Sequence, residues 1–352
     1  MSRIIQPVVS PRGRVIVLTG ATLGLIAMML LSATPEGASA TPRVELSGSV
    51  LVETFEEIEG APGLLVFPRL YTSAKGRVYV ADRGGHRVIR LAEDGIRADV
   101  VYGREGAGPG ELMYPRSVAA DSNGNVFVTD QQLHRILKYA PDGTFLQSVT
   151  APAVVSVVVD SEDRVIVRPG SGNALLQRYT NDLEEDVVLL EKTGSQHNSP
   201  LGVLIAIDAD DRLFLLDQSD LTVKVYDRDM RLVDEWPVNP PQLEETIALR
   251  LAAASAKFPD RLVSIDGIQS MALDPTGGHL VFAYLVMTTP DTKETKIAWY
   301  TSDGTLVLVE DRGEERIYAI VILPDGTILE GSPEYIRVRS KGTVTNADVE
   351  NN

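Results

Sequence analysis

Short runs of Val, Ile, Leu, Tyr and Phe recur along the chain, each about five residues long and each bounded by Asp, Gly, Asn or Pro. Runs of this kind, so punctuated, predict antiparallel strands joined by tight turns. Their spacing is regular. Asp82, His86, Arg87, Asp94 and Gly95 return 48 residues later as Asp130, His134, Arg135, Asp142 and Gly143, with matching apolar runs at 78–81 and 126–129. Four more units follow with decaying fidelity, at residues 155–179, 204–226, 269–304 and 318–338. Six units of about four short strands, at a period in the forties, have the dimensions of propeller blades. A lone blade cannot bury both of its faces, whereas a ring of blades can. The expected fold is therefore all-β, a six-bladed β-propeller of four-stranded antiparallel blades.

The chain ends bear on closure of the ring. Residues 50–55, followed by the glycine-bearing link 60–64, resemble residues 99–102 followed by the link 106–112, so the early run reads as the outer strand of a blade lacking its first three. The last unit conversely has three strands and no good fourth. Pairing the two would close the ring and remove an exposed edge. One segment breaks the strand rhythm: residues 241–258 are rich in helix formers, with apolar residues at 243, 247, 251 and 254. This helical insertion falls between the fourth and fifth units. A lid or docking element and a simple cap over an opening between blades are both open readings.

Upstream, Arg3, Arg12 and Arg14 precede an apolar run at 15–33, and Ala38-Ser39-Ala40 supplies small residues for cleavage. This is the layout of an export signal, predicting a mature chain from Thr41. An uncleaved membrane anchor is the alternative, because the run is near the length that spans a bilayer. Either reading puts the body of the protein in the periplasm or outside the cell. The expected organisation is a signal or anchor at 1–40, the propeller at 41–342 and a disordered tail at 343–352.

Composition narrows the chemistry. There is no cysteine, which removes disulfides, thiolate metal sites and Cys nucleophiles. Without the first forty residues the chain keeps 30 basic and 48 acidic residues, a net charge of −18. Such a surface repels nucleic acid and anionic lipid, so neither is an expected partner, and no membrane contact is expected beyond the N-terminal segment. No Gly-x-Ser-x-Gly elbow is present.

Residues 103–139 combine a glycine-rich link, a proline, two apolar strands each running to an Asp, a His-Arg pair and a third strand. This resembles an NHL-type repeat, and the first unit matches nearly as well. The later units lose the His-Arg pair and are similar to exported six-bladed propellers in general. The resemblance implies the fold. It leaves function open, since propellers of this kind include binding modules, metal-dependent lyases, lactonases and signalling ectodomains.

Several residues invite a functional reading. His86 and His134 resemble the histidines of metal-dependent propeller lyases, but both hold one repeat position, where the resemblance implies packing against a strand-ending Asp or the backbone of the next blade. A metal site needs three or more converging ligands, and the other histidines, His197 and His279, fall elsewhere in the repeat. Asp82, Asp130 and Asp217 recur in register, which favours a blade-to-blade hydrogen bond over catalysis. Asp121, Asp160, Asp208 and Asp274 open turns. Residues 208–211 lack the glycine and distal Glu of a calcium loop. The starts of the innermost strands should ring one channel mouth, which places Arg69, Arg116, Gln269 and Tyr318 there, with Ser117 beside them. Arginines so placed can hold a carboxylate or phosphate by charge-assisted bonds; pairing with neighbouring Asp or Glu is the alternative. The leading expectation is a monomeric binding or scaffolding propeller for a protein, peptide or glycan, with no cofactor. The second is a metal-dependent propeller enzyme, a lyase or lactone hydrolase.

Overall fold

The computed structural model describes residues 46–61, 63–72, 76–93, 97–192, 203–218, 220–257, 267–275, 278–287 and 293–343. The expected export segment, His197 and residues 344–352 lie outside them.

The first strand, β1 (Leu46–Phe55), is followed by six consecutive groups. Blade one is β2 (Pro68–Thr72), β3 (Val78–Asp82), β4 (Arg87–Leu91) and β5 (Ala98–Tyr102). Blade two is β6 (Pro115–Ala120), β7 (Val126–Asp130), β8 (Arg135–Tyr139) and β9 (Phe145–Thr150). Blade three is β10 (Ser156–Val159), β11 (Val165–Arg168), β12 (Ala174–Tyr179) and β13 (Glu185–Glu191). Blade four is β14 (Val203–Ile207), β15 (Leu213–Asp217), β16 (Thr222–Tyr226) and β17 (Leu232–Pro237). After the helix α1 (Leu243–Lys257) comes blade five, with β18 (Ile268–Leu273), β19 (Leu280–Met287), β20 (Lys293–Tyr300) and β21 (Leu306–Asp311). Blade six has β22 (Ala319–Ile322), β23 (Ile328–Gly331) and β24 (Ile336–Thr343), and β1 completes it as the outer strand. The pairing of β1 with β24 is antiparallel and runs from Leu46 opposite Thr343 to Phe55 opposite Ile336. Thr343, expected in the tail, is thus the last residue of a strand.

Burial follows from the ring. β3, β7 and β15 are buried at every position, since both faces of a middle strand meet neighbouring blades. The outer strand β9 alternates between half-buried and exposed. Successive residues on one strand serve opposite seams. Val126 and Val128 pack toward blade one with Tyr79, Tyr102 and Tyr139, while Phe127 between them packs toward blade three with Val157 and Val165. The remaining seams join Leu176 to Leu215, Phe214 and Trp236 to Phe282 and Tyr300, Trp299 to Ile320, and Val321 and Leu329 to Leu70 and Val80. That last cluster joins blade six to blade one, so the circle is closed by side chains as well as by strand pairing. Gly304 shows how tight a seam is: its turn holds φ at +85°, and a Cβ there would stand 2.4 Å from Trp236 Cγ.

An even number of strands per blade returns the chain to the end where it entered. The innermost strands therefore all start at one end of the ring, the entry end, where the described inter-blade links lie too. The helix α1 belongs to one such link. Glu244 and Glu245 in its first turn suit the helix dipole, and Leu243 and Thr246 are buried. β19 runs three residues past the Ile268–Tyr284 pair, and this extension is the seat of the helix. The Met287 N–H donates to Thr246 Oγ1 at 3.1 Å, and the Tyr284 hydroxyl donates to Pro241 O at 3.3 Å. These contacts seat the helix on blade five.

Candidate functional site

The innermost strands surround a channel with a cavity of about 850 Å³. Arg69, second in β2, is largely buried at its entry end. Its Nη1 donates to Gln269 O at 3.0 Å and to Tyr318 O, and its guanidinium carbon lies 5.7 Å from the Tyr318 ring centre, within cation–π range. Burial, then the nearby charges of Arg83 and Arg116, push its pKa down to about 10. Arg83 follows the strand-ending Asp82. Its Nη1 donates to the Tyr114 hydroxyl at 3.3 Å, its guanidinium carbon stands 5.1 Å from the Tyr114 ring centre, and its buried Nε has no partner among the described residues. Arg116 Nη1 donates to Gln131 Oε1 at 2.7 Å, and the Arg116 carbonyl accepts from the Tyr71 hydroxyl.

Among the described residues no carboxylate lies within ion-pair distance of Arg69 or Arg83. A buried guanidinium satisfied only by carbonyls and ring faces is costly. Arg69 and Arg83 are thus two cations without an ion-pair partner among the described residues, on a chain of net charge −16.

The opposite end carries aspartates, two of them ion-paired: Arg164 Nε donates to Asp160 Oδ2 at 2.7 Å and Arg212 Nε to Asp208 Oδ2 at 2.8 Å. Asp121, Asp160 and Asp208 face the cavity there, each closing its own turn. Asp121 Oδ1 accepts from the Asn123 and Asn125 N–H groups, Asp160 Oδ1 from those of Glu162 and Arg164, and Asp208 Oδ1 from those of Asp210 and Arg212. The same turns tie blades together. The Ser122 hydroxyl donates to Asp163 at 2.6 Å and the Ser161 hydroxyl to Asp211 at 2.5 Å. Blade four has Ala209 at this position and cannot continue the series.

Of the residues expected at the mouth, Arg69, Arg116, Ser117 and Gln269 line the channel, while Tyr318 stands behind Arg69. Ser117 is buried, and its Oγ accepts from the Val157 N–H at 3.1 Å, a bridge to the next blade that Ser270 repeats toward Ile320. The histidines behave as repeat elements. His86 Nδ1 lies 2.7 Å from Met113 O, and His134 Nδ1 accepts from the Ala153 N–H at 3.1 Å, both partners being in the link to the following blade. His279 lies 3.4 Å from Asp274 in a buried pair. Among the described residues no group of three His, Asp or Glu side chains converges as a metal site would require.

Asp82 and Asp130 bind the links between blades. Asp82 accepts from the Val66 and Gly85 N–H groups and from Arg87 Nε, and Asp130 from the Met113, Tyr114, Gln132 and Leu133 N–H groups. They pin the incoming link and the following turn of their own blade, because a carboxylate at a strand end sits where those N–H groups would otherwise be unpaired. Arg83 and its partner Tyr114 escaped the sequence reading. The signal for Arg83 was its place directly after Asp82, which Gln131 and Gln218 occupy in blades two and four.

Comparison with known proteins agrees on the fold. Residues 102–129 match the model of a β-propeller repeat family. No curated protein sequence matches the chain. Among solved structures, a DUF4221 family member from Bacteroides vulgatus has a TM-score of 0.57 at 8% identity, covering 85% of this chain and 98% of that one. A Bacteroides fragilis protein described as exported has a TM-score of 0.56 at 11% identity, covering 85% and 95%. A catalytically inactive virginiamycin B lyase from Staphylococcus aureus, solved with quinupristin, has a TM-score of 0.50 at 16% identity, covering 79% and 82%. Likeness at such identities is likeness of fold alone. The described residues contain no helix long and apolar enough to cross a membrane.

Proposed function

We propose that this chain is an exported binding propeller, acting outside the cytoplasm, that holds an anionic group of a protein, peptide or glycan partner at the arginine mouth. The observation that carries the reading is the pair Arg69 and Arg83, both half-buried at the entry end and with no carboxylate partner among the described residues. A site that keeps desolvated positive charge uncompensated is preorganised for an anion, because the cost of burial has been met in folding. The basic head and apolar run at the N-terminus support export, and one structure of similar fold is described as exported.

The test is a thermal melt of the full chain with inorganic phosphate or acetate at constant ionic strength. The melting temperature should rise with anion concentration and level off, and Arg69→Met with Arg83→Met should abolish the rise. A response equal in the wild type and the double variant would remove the arginine mouth as the binding site.

A further inference from the structure

The link that leads into Arg69 carries apolar side chains exposed to solvent. Leu64 is 60% exposed, Val66 40% and Phe67 53%. All three lie on the link into blade one, immediately before Pro68 and Arg69. Phe67 has φ of +52°, a left-handed conformation that is a true outlier for a bulky side chain. Strain of this sort persists only where surrounding contacts impose it. Here three hydrogen bonds impose it. The Val66 N–H donates to Asp82 Oδ1 at 2.9 Å, the Gly84 N–H donates to Val66 O at 3.0 Å, and the Phe67 N–H donates to Pro333 O at 2.7 Å. A Cβ on Gly84 would stand 2.4 Å from Val66 Cγ1, so the glycine after Arg83 is what lets the link press onto that turn. The fold thus fixes a strained, outward aromatic ring two residues before Arg69 and presses its neighbour onto the turn that carries Arg83.

We infer that this composite site takes the C-terminus of a peptide or protein whose last residues are apolar, the terminal carboxylate entering the arginine mouth and the apolar side chains resting on Leu64, Val66 and Phe67. The inference rests on the anion-binding reading above. Two features favour this occupant. A terminal carboxylate is a planar monoanion that a guanidinium fork can engage at two points, and it is always joined to the side chain of its own residue, so charge and apolar group arrive together. A rigid aromatic beside the charge contributes contact area at little entropic cost.

The experiment titrates the full chain with three fluorescently labelled pentapeptides: one ending in Leu-Phe with a free carboxylate, the same peptide as its amide, and one ending in Ser-Ser with a free carboxylate. The Leu-Phe acid should bind roughly tenfold or more tightly than its amide, as loss of a charge-assisted contact implies. It should also bind more tightly than the Ser-Ser acid. Arg69→Met should erase the difference between acid and amide. Phe67→Gly removes ring and strain together, so it should melt no lower than the wild type while losing the preference for Leu-Phe over Ser-Ser. A purely structural Phe67 would leave that preference intact. Equal binding of acid and amide overturns the inference, as does an unaltered preference in Phe67→Gly, or tighter binding of octanoate than of the Leu-Phe acid. If the Leu-Phe acid fails while phosphate or acetate still protects the wild type and not the arginine variant, the inference falls and the anion-binding reading stands. If neither peptide nor simple anion binds, both fall.

Discussion

Asp130 is fully buried at the end of β7, and its carboxylate accepts from four backbone N–H groups at 2.7–3.2 Å. Alanine there strands those donors beneath the inter-blade link, and Asp130→Ala should lower the unfolding free energy in urea by about 3–5 kcal/mol. Arg69 sits at the same end with the opposite consequence. Its lowered pKa means that the folded state holds the guanidinium proton less firmly than the unfolded state does. Its charge therefore opposes folding at every pH below about 10, and the opposition fades as pH rises beyond that value. Arg69→Met should leave the unfolding free energy unchanged or raise it by about 1 kcal/mol, which is the signature of a residue kept for binding. Both positions were legible in the repeat, since Asp130 mirrors Asp82 and Arg69 opens an innermost strand. Arg83 was not, because its meaning depends on Tyr114 across the seam to blade two. Arg168 also broke register, occupying opposite Ser156 the place that Asp82 and Asp130 hold opposite Pro68 and Pro115.

At the scale of elements the decisive contact is between β1 and β24, which joins residues nearly the whole propeller apart and leaves no outer strand of blade six unpaired. Val50 faces Ser340 in this register. Because the chain has no cysteine, the double variant Val50→Cys, Ser340→Cys can form one disulfide only. Oxidation should raise the melting temperature reversibly with reductant, by as much as about 5 kcal/mol of unfolding free energy for a loop of this length. No disulfide under mild oxidant, or one that lowers stability, would contradict the register. The closing strand was readable because residues 50–64 repeat the outer strand and link of a complete unit. The helix was readable too, from its apolar spacing. Its seat was not, since the three-residue extension of β19 is visible only as a longer apolar run until strand pairing shows where β18 begins. The serine–aspartate ties between turns were hidden for the same reason: Ser122 and Asp163 become neighbours through blade packing alone.

Across the whole ring, tyrosines carry much of the seam packing and set its response to alkali. Tyr79, Tyr102 and Tyr139 form a file of rings, with centroids 6.4 and 5.7 Å apart, in the seam between blades one and two. Tyr284 and Tyr300 lie between blades four and five, and Tyr179 in the seam between blades two and three. Burial raises the pKa of each, to about 12 for Tyr179 and Tyr300. A raised folded pKa keeps the proton on the folded state, so this stability is fully present below pH about 10, where unfolded tyrosine titrates, and is lost as pH climbs toward the folded values. Each such tyrosine contributes a loss of about 1.4 kcal/mol per pH unit in that window. Arg69, Lys192 and Arg337, each lowered first of all by burial, pull the other way, but they are three groups against these six. The unfolding free energy should therefore be level from pH 7 to 9 and fall steeply above pH 10. High salt should not rescue it, since desolvation in a dry seam is not screened as surface repulsion is. Tyrosinate absorbance and the circular dichroism of the strands should then change together as the ring opens; absorbance rising first, with the strands intact, would show these rings ionising in place and would refute the account.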